Sequence, residues 1–368
     1  MIAKGLKGIV AAETTISHID GNEGRLVYRG YEIGDITSRY SFEETSYLLW
    51  YGVFPDDKQV KHLTSELKKN RSLSTHMKNV IDQLPKDMDM MSVIRTAVSA
   101  EGSSAYGWKP DVTQAIRLTA LLPSIIAYRN SQLEGKSFVE PSDEFDHVEN
   151  YLYMLKGERP SKAHVQALET YMILTLEHGM NASTFSARVT ASTESDMVSA
   201  VTSAVGTMKG PLHGGAPSGV INLLDEIAAD GSAEAVIRRK LKNGEKLMGF
   251  GHRVYKTHDP RAIALKAKLQ GLVGSDEWLD LAIEVEEKAV ELLAEFKPGR
   301  SLYTNVEFYA AAIMKAISME STLFTPTFTA SRVVGWTAHV LEQAEDNTIY
   351  RPQSDYIGKF VKHSAIQS

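Results

Sequence analysis

Cysteine is absent from the 368 residues, which excludes disulfides, zinc–cysteine sites, iron–sulfur clusters and thiol nucleophiles together. Long apolar runs are absent too. The most apolar stretch, LTALLPSIIAY, is broken by Pro123 and falls well short of the about 20 residues that a membrane-spanning helix needs. The opening MIAKGLKGIVAAETT has too few apolar residues before Glu13 for a signal-peptide core, so a cytoplasmic location is expected. A strong charge of one sign is also missing: 40 basic residues face 46 acidic ones, net −6, which gives no whole-molecule attraction to nucleic acid or to anionic lipid. Neither nucleic acid nor a membrane is expected as a partner. Familiar nucleotide and metal motifs are lacking as well. GFGHRV at Gly249 has no third glycine and no preceding strand, and neither a Walker lysine loop nor an HExxH helix occurs.

What is present is the mixture of an ordinary globular chain, 43% hydrophobic and 23% charged. Its length exceeds the roughly 250–300 residues at which one hydrophobic core stops growing, so two tightly joined units are expected. Strand signals are confined to ISHIDGNEGRLVYRGY, where a Gly/Asn/Asp turn separates two short β-prone runs and predicts a hairpin. Elsewhere the period is helical and alternating βα units are absent, so the fold class is mainly α. Ser41 and Glu44 have capping-box spacing ahead of Tyr47, Leu48 and Leu49. Met197, Ala200, Val201, Ala204, Val205 and Met208 form one stripe after Asp196, stopped by Gly210 and Pro211. Further helices are predicted from Ser161 to Glu177, from Asp276 to Phe296, and through Tyr309, Ala312, Ile313, Ala316 and Ile317 on one face.

Four polar segments punctuate this pattern: EHGMNAST, KGPLHGGAP, MGFGHRVYKTHDPR and YTNVEFY. His213 lies in the Leu212–Gly215 loop ahead of a helix start expected at Pro217. A helix N-terminus disfavours the imidazolium and leaves a neutral N–H donor, although for this residue taken alone a histidine hydrogen-bonded within a tight connection is the commoner reading. His252 stands near Arg253, Lys256 and Arg261, a cluster suited to a polyanion or simply a solvated basic loop. His178 precedes Gly179, where a histidine often serves only as a helix C-cap. Glu307 can act as a general base on a carbon acid if partly desolvated. Thr304 and Glu307 also have capping-box spacing, in which case the helix dipole would weaken that base. Arg332 and Arg351 are ambiguous when taken singly.

In order, HGMNAST, PLHGGAP, GFGHRVY with DPR, NVEFY, SRVVGW and YRP resemble the citrate synthase family, of the dimeric bacterial or archaeal type, in sequence and spacing. The resemblance implies a two-domain, all-helical fold with a small N-terminal β-hairpin. Residues 1–212 and 319–368 would form the large, dimer-forming domain, and 213–318 a small domain that closes over the active site. It implies condensation of oxaloacetate with acetyl-CoA and hydrolysis of citryl-CoA to citrate and CoA. Glu307 would take a methyl proton from acetyl-CoA, His213 would donate to the thioester oxygen, and His252 would polarise and protonate the oxaloacetate carbonyl. His178, Arg261 and Arg332 would bind the carboxylates, with Arg351 contributed across a homodimer interface. CoA would lie against Met248, Gly249, Phe250, Gly251 and Arg253, near Lys256, Lys297 and Arg300. Acetyl-CoA is then a co-substrate, and neither a permanent cofactor nor a metal is implied. The family segment usually reads NVDFY, so Glu307 replaces an aspartate and Thr304 a common proline. A 2-methylcitrate synthase using propionyl-CoA, and a catalytically weak paralogue with a scaffold role, are the other readings.

Overall fold

The computed structural model describes residues 3–214, 218–252, 254–300 and 302–360. The expected hairpin is formed by β1 (Ser17–Asp20) and β2 (Arg25–Tyr28), with Ser17 opposite Tyr28, and a two-residue β3 (Tyr31–Glu32) extends it on the far side of β2. Ten helices follow: α1 (Ile33–Arg39), α2 (Phe42–Tyr51), α3 (Asp57–Asn70), α4 (Thr75–Asp82), α5 (Met90–Ala100), α6 (Val112–Glu134), α7 (His147–Lys156), α8 (Lys162–Thr175), α9 (Ala182–Ser192) and α10 (Met197–Met208). Next come α11 (Ser218–Asp230), α12 (Ala233–Lys242), α13 (Pro260–Gln270), α14 (Glu277–Phe296) and α15 (Val306–Ala316), which pack on one another. The long α16 (Phe324–Glu345) then returns to pack against α2, α6, α8, α9 and α10. Among the described residues no helix is long and apolar enough to cross a membrane.

Local signals hold where side chains cap their own backbone. Ser41 and Glu44 form both halves of a capping box, and Ser161, Asp196 and Asp276 each accept a first-turn N–H. They fail where tertiary contacts intervene. The expected helix to Glu177 ends at Thr175, because the Tyr28 hydroxyl accepts the Glu177 N–H at 3.2 Å and donates to the Glu177 carbonyl at 2.8 Å. Pro123 does not end α6, which runs through it; residues 118–127 are buried among α3, α5, α7 and α16, and that packing offsets the missing N–H. The helix expected to show one apolar face, α15, is buried on all sides except at Glu307 and Lys315, and Ile317 is its C-cap.

Helix α16 is the buried spine, and three of its threonines are bonded locally. Thr327, Thr329 and Thr337 each donate a hydroxyl to the carbonyl four residues earlier, at 2.8–2.9 Å. Gly335 lets the spine approach the end of α8: a Cβ there would lie 2.3 Å from the Leu176 carbonyl oxygen and 2.6 Å from Glu177 Oε2. Beneath it runs a buried polar chain. Arg188 Nη1 donates to His339 Nδ1 at 3.0 Å, so the ring's Nε2–H donates to Glu177 Oε1 at 3.1 Å, which also accepts from Ser17 at 2.9 Å. Gly335→Ala is expected to lower stability by about 1–3 kcal/mol through this overpacking, whereas Ser41→Ala should cost about 1 kcal/mol. Chemical denaturation of both variants checks the pair; an unchanged midpoint for Gly335→Ala contradicts the close approach.

Candidate active site

A cleft of about 820 Å³ opens between α8, α9 and α16 on one side and α11–α15 with their loops on the other. It is lined by His178, His213, His252, Arg261, Glu307 and Arg332, so six of the seven expected catalytic and substrate-binding residues meet there. They come from five chain segments, and two pairings fix the one that carries His252 and Arg261. Gly251 N–H donates to Tyr303 O at 2.7 Å, Asn305 N–H to Gly249 O at 2.9 Å, and Asn305 Nδ2 to Gly251 O at 2.9 Å, joining the His252 loop to the start of α15. Gly249 and Gly251 have φ of +89° and +83°, and a Cβ on Gly249 would meet Phe308 at 3.0 Å, so both glycines serve the loop itself. The tip of the β1–β2 hairpin holds the other end, where Gly21 O accepts the Lys256 N–H at 2.7 Å.

The tautomer of His252 follows from its neighbours. Its Nδ1 accepts the backbone N–H groups of Val254 at 3.0 Å and Tyr255 at 3.2 Å, so the proton of the neutral ring sits on Nε2. Burial, then Arg261 and Lys256, push its pKa down to about 4 against the opposing pull of Asp259, and the ring is neutral at physiological pH. Nε2 lies 3.3 Å from Arg261 Nη2, and with the ring proton on Nε2 neither nitrogen offers the other an acceptor. Arg261 is held by Asp259, with Nε 3.0 Å from Oδ1 and Nη2 2.9 Å from Oδ2. Asp259 also caps α13 and accepts the Val306 N–H of α15 at 3.2 Å.

Across the cleft, Arg332 is 2% exposed and donates Nε–H to the Thr175 carbonyl at 2.7 Å. Neither of its terminal nitrogens has a hydrogen-bond or ion-pair partner among the described residues. His213 Nε2 lies 2.7 Å from Ser183 Oγ, and burial followed by Arg332 pushes its pKa down to about 4. Trp336 Nε1, which can only donate, occupies one lone pair of Ser183 Oγ at 2.9 Å. Asn181 Oδ1, at 2.8 Å, competes with His213 for the hydroxyl proton. The helix N-terminus expected beside His213 lies past Gly215, Ala216 and Pro217, which are outside the described residues. His178 Nε2 lies 3.0 Å from the Tyr255 hydroxyl. Burial, then Arg261, Arg332 and His252, put its pKa well below the ordinary value, so its role is not that of a charged helix cap.

Glu307 is not part of a capping box. The cap of α15 is Asn305, whose Oδ1 accepts the Glu307 N–H at 3.0 Å, while Thr304 donates instead to Glu286 at 3.0 Å. The Glu307 carboxylate has no hydrogen-bond partner among the described residues and is accessible to solvent within the cleft. The crowded walls still desolvate it enough to raise its pKa, with Asp259 adding to the rise and Arg261 opposing it. The shift is upward, opposite in sense to the helix-dipole effect anticipated above.

Of the remaining expected residues, Met248, Gly249, Phe250 and Gly251 line the cleft, with Lys297 and Arg300 also among the lining residues. Lys256 is outside that lining, against the hairpin tip, and Arg253 is outside the described residues. Arg351 is exposed on a C-terminal segment, 351–360, that is exposed at every residue, and does not reach the cleft of its own chain. Asp259, Ser183, Trp336 and Tyr255 were not singled out from the sequence. Asp259 had a readable signal, a cap residue before Pro260, whereas Ser183 and Trp336 are 153 positions apart and no local pattern links them. A second cavity of about 880 Å³, lined by Tyr47, Tyr51, His62, Glu66, Glu101 and Arg117 among others, contains none of the expected residues. No cluster of three His, Asp or Glu side chains able to hold a metal ion occurs among the described residues.

Comparison with known proteins agrees with this arrangement. The family model described as citrate synthase, C-terminal domain, matches residues 5–353. The chain is 39% identical over 373 residues to a citrate synthase of Haloferax volcanii (97% of this chain, 96% of that one). It is 40% identical over 367 residues to citrate synthase 2 of Bacillus subtilis (96% and 95%). It is also 38% identical over 363 residues to a 2-methylcitrate synthase of Mycobacterium tuberculosis (97% and 91%). Citrate synthase from Pyrobaculum aerophilum superposes with a TM-score of 0.86 at 36% identity, covering 99% of this chain and 95% of that one. That from Thermoplasma acidophilum, in a ternary complex with carboxymethyl coenzyme A and oxaloacetate, gives 0.83 at 30% identity, with 99% of each chain covered. The mainly helical chain, with its histidines, arginines and carboxylate gathered in one cleft, belongs to the citrate synthase family.

Proposed function

We infer that the cleft condenses oxaloacetate with acetyl-CoA and hydrolyses the resulting citryl-CoA. The observation that carries this reading is a set of donors lining one cleft without acceptors enough for them: His252 Nε2–H lies 3.3 Å from Arg261 Nη2, which cannot accept it, and the terminal nitrogens of the buried Arg332 have no partner among the described residues. A small dicarboxylate with a carbonyl oxygen supplies the acceptors they lack. Glu307, whose carboxylate has no hydrogen-bond partner among the described residues, takes a proton from the methyl carbon of acetyl-CoA. His213 holds the enolate oxygen: when Ser183 gives its proton to Nε2, Nδ1–H is the donor that remains. The enolate carbon attacks the ketone carbon of oxaloacetate, and the ketone oxygen takes the Nε2 proton of His252. Water then cleaves the thioester, giving citrate and the free thiol of CoA. Met248–Gly251 would contact CoA, with Lys297 and Arg300 meeting its phosphates, and residues 213–318 would act as the unit that closes over bound oxaloacetate.

A thiol-release assay with oxaloacetate and either acetyl-CoA or propionyl-CoA tests this. A higher kcat/KM for acetyl-CoA is expected, and the similarity to a 2-methylcitrate synthase makes propionyl-CoA the informative competitor. Release of no thiol from either ester would end this reading.

Glu307→Gln, which cannot accept a proton, should lower kcat by a factor on the order of 10² or more with an unchanged melting temperature. Turnover within threefold of the parent would rule Glu307 out as the base. Glu307 must be ionised to act and its pKa is raised, so kcat should fall as pH drops through a midpoint above the ordinary 4.5. His213 and His252 titrate lower, at about 4. Glu307→Asp should keep activity and move the acid limb to lower pH.

The exposed C-terminal segment bears Tyr356, Ile357 and Phe360 at 64%, 93% and 87% exposure, an apolar arm suited to a second copy of the chain. In such a homodimer Arg351 would complete the partner's cleft. Mixing Arg351→Ala chains with His252→Ala chains should then restore turnover, since one site of each heterodimer regains both groups. Demonstrated subunit exchange without recovered activity would refute the sharing of Arg351.

A further inference from the structure

Tyr255 lies within the cleft loop, 2% exposed, among three of the residues assigned above to oxaloacetate. Its ring centre is 4.9 Å from that of His252 at an interplanar angle of 35°, and 5.8 Å from that of His178 at 71°. The Arg261 guanidinium carbon is 5.6 Å from the same ring centre. Its backbone N–H fixes the His252 tautomer, and its hydroxyl meets His178 Nε2 at 3.0 Å.

That last contact has one satisfied proton arrangement. The neighbouring cations and burial keep His178 neutral, so it carries one N–H. Burial raises the Tyr255 pKa, so the phenol keeps its proton. Among the described residues the phenol has no hydrogen-bond acceptor other than His178. Were the His178 proton on Nε2, the phenolic proton would be buried without an acceptor, and Nδ1 would present a lone pair. With O–H donating to Nε2, the imidazole proton is on Nδ1, which has no partner among the described residues.

We propose that Tyr255 is a positioning residue for substrate: its hydroxyl holds His178 as the Nδ1–H tautomer, the form able to donate to an oxaloacetate carboxylate. The proposal deepens the function inferred above and rests on it. Tyr255 acts through His178 and not on the reacting atoms. The loop that carries His252 and leads into α13 therefore also sets the donor on the opposite wall.

The test combines kinetics with spectroscopy. Tyr255→Phe keeps the ring and the backbone N–H and removes only the hydroxyl. The oxaloacetate KM should rise about five- to tenfold, as expected for one lost hydrogen bond, with kcat within twofold. In a His178→Asn background, where the donor needs no tautomer, adding Tyr255→Phe should change KM less than twofold. Equal effects in both backgrounds, or a loss confined to kcat, overturns the proposal. Nitrogen-15 NMR of histidine-labelled wild-type protein, with His178 assigned through His178→Asn, reads the tautomer directly and depends neither on the variant's folding nor on turnover. An Nδ1–H signature supports the proposal and an Nε2–H signature overturns it. Failure of wild-type protein to release thiol would count against the inferred reaction, while the tautomer measurement would still judge Tyr255.

Discussion

The buried carboxylate of Asp259 organises the cleft more than any other single group. With four acceptor contacts at 2.9–3.2 Å it caps α13, clamps Arg261 from both sides and ties down the first turn of α15, from which Glu307 projects. Burial penalises its charge, yet the Arg261 guanidinium holds its pKa below the ordinary carboxylate value. A buried ion pair adds little net stability, because desolvation consumes much of the Coulombic gain. Its value here is geometric: one anion sets the substrate-facing arginine and the candidate base relative to each other.

From that anchor the cleft divides into groups held by fixed partners and groups left without any. Asp259 orients Arg261, backbone N–H groups orient His252, Ser183 contacts His213, and Tyr255 contacts His178. The terminal nitrogens of Arg332 and the Glu307 carboxylate have no partner among the described residues and are left for a ligand. This is the arrangement a site needs when charge develops on oxygen during a reaction. Donors held in advance need little reorganisation, and a low-dielectric surrounding strengthens each of them. Neutral histidines belong to the same scheme, since they donate without adding to the positive charge of two buried arginines.

The N-terminal hairpin, the one place with strand signals, contributes to both walls. Ser17 and Tyr28 hold Glu177, directly before His178, while the turn at Gly21 bonds the backbone of Lys256. A Cβ on Gly21 would approach the Val254 oxygen to 2.2 Å, so this glycine of the turn is there for close approach. A segment of twelve residues, Ser17–Tyr28, thus links strand geometry to the placement of His178 and of the loop after His252.

The sequence by itself determined the helical class, the hairpin, the capped helix starts and the set of polar segments that meet in the cleft. All of these depend on contacts within a few residues or on motifs read in order. Tertiary structure decided the rest. Thr304 and Glu307 have the spacing of a capping box, but Asn305 takes the cap once its side chain also bonds Gly251 O. Pro123 stays inside a helix because burial around it outweighs one lost hydrogen bond. The tautomers of His252 and His178, the upward pKa shift of Glu307 and the remoteness of Arg351 from its own cleft depend on groups distant in the chain. Local spacing can encode a cap or a stripe; it cannot encode which donor, charge or wall a folded chain places beside a side chain.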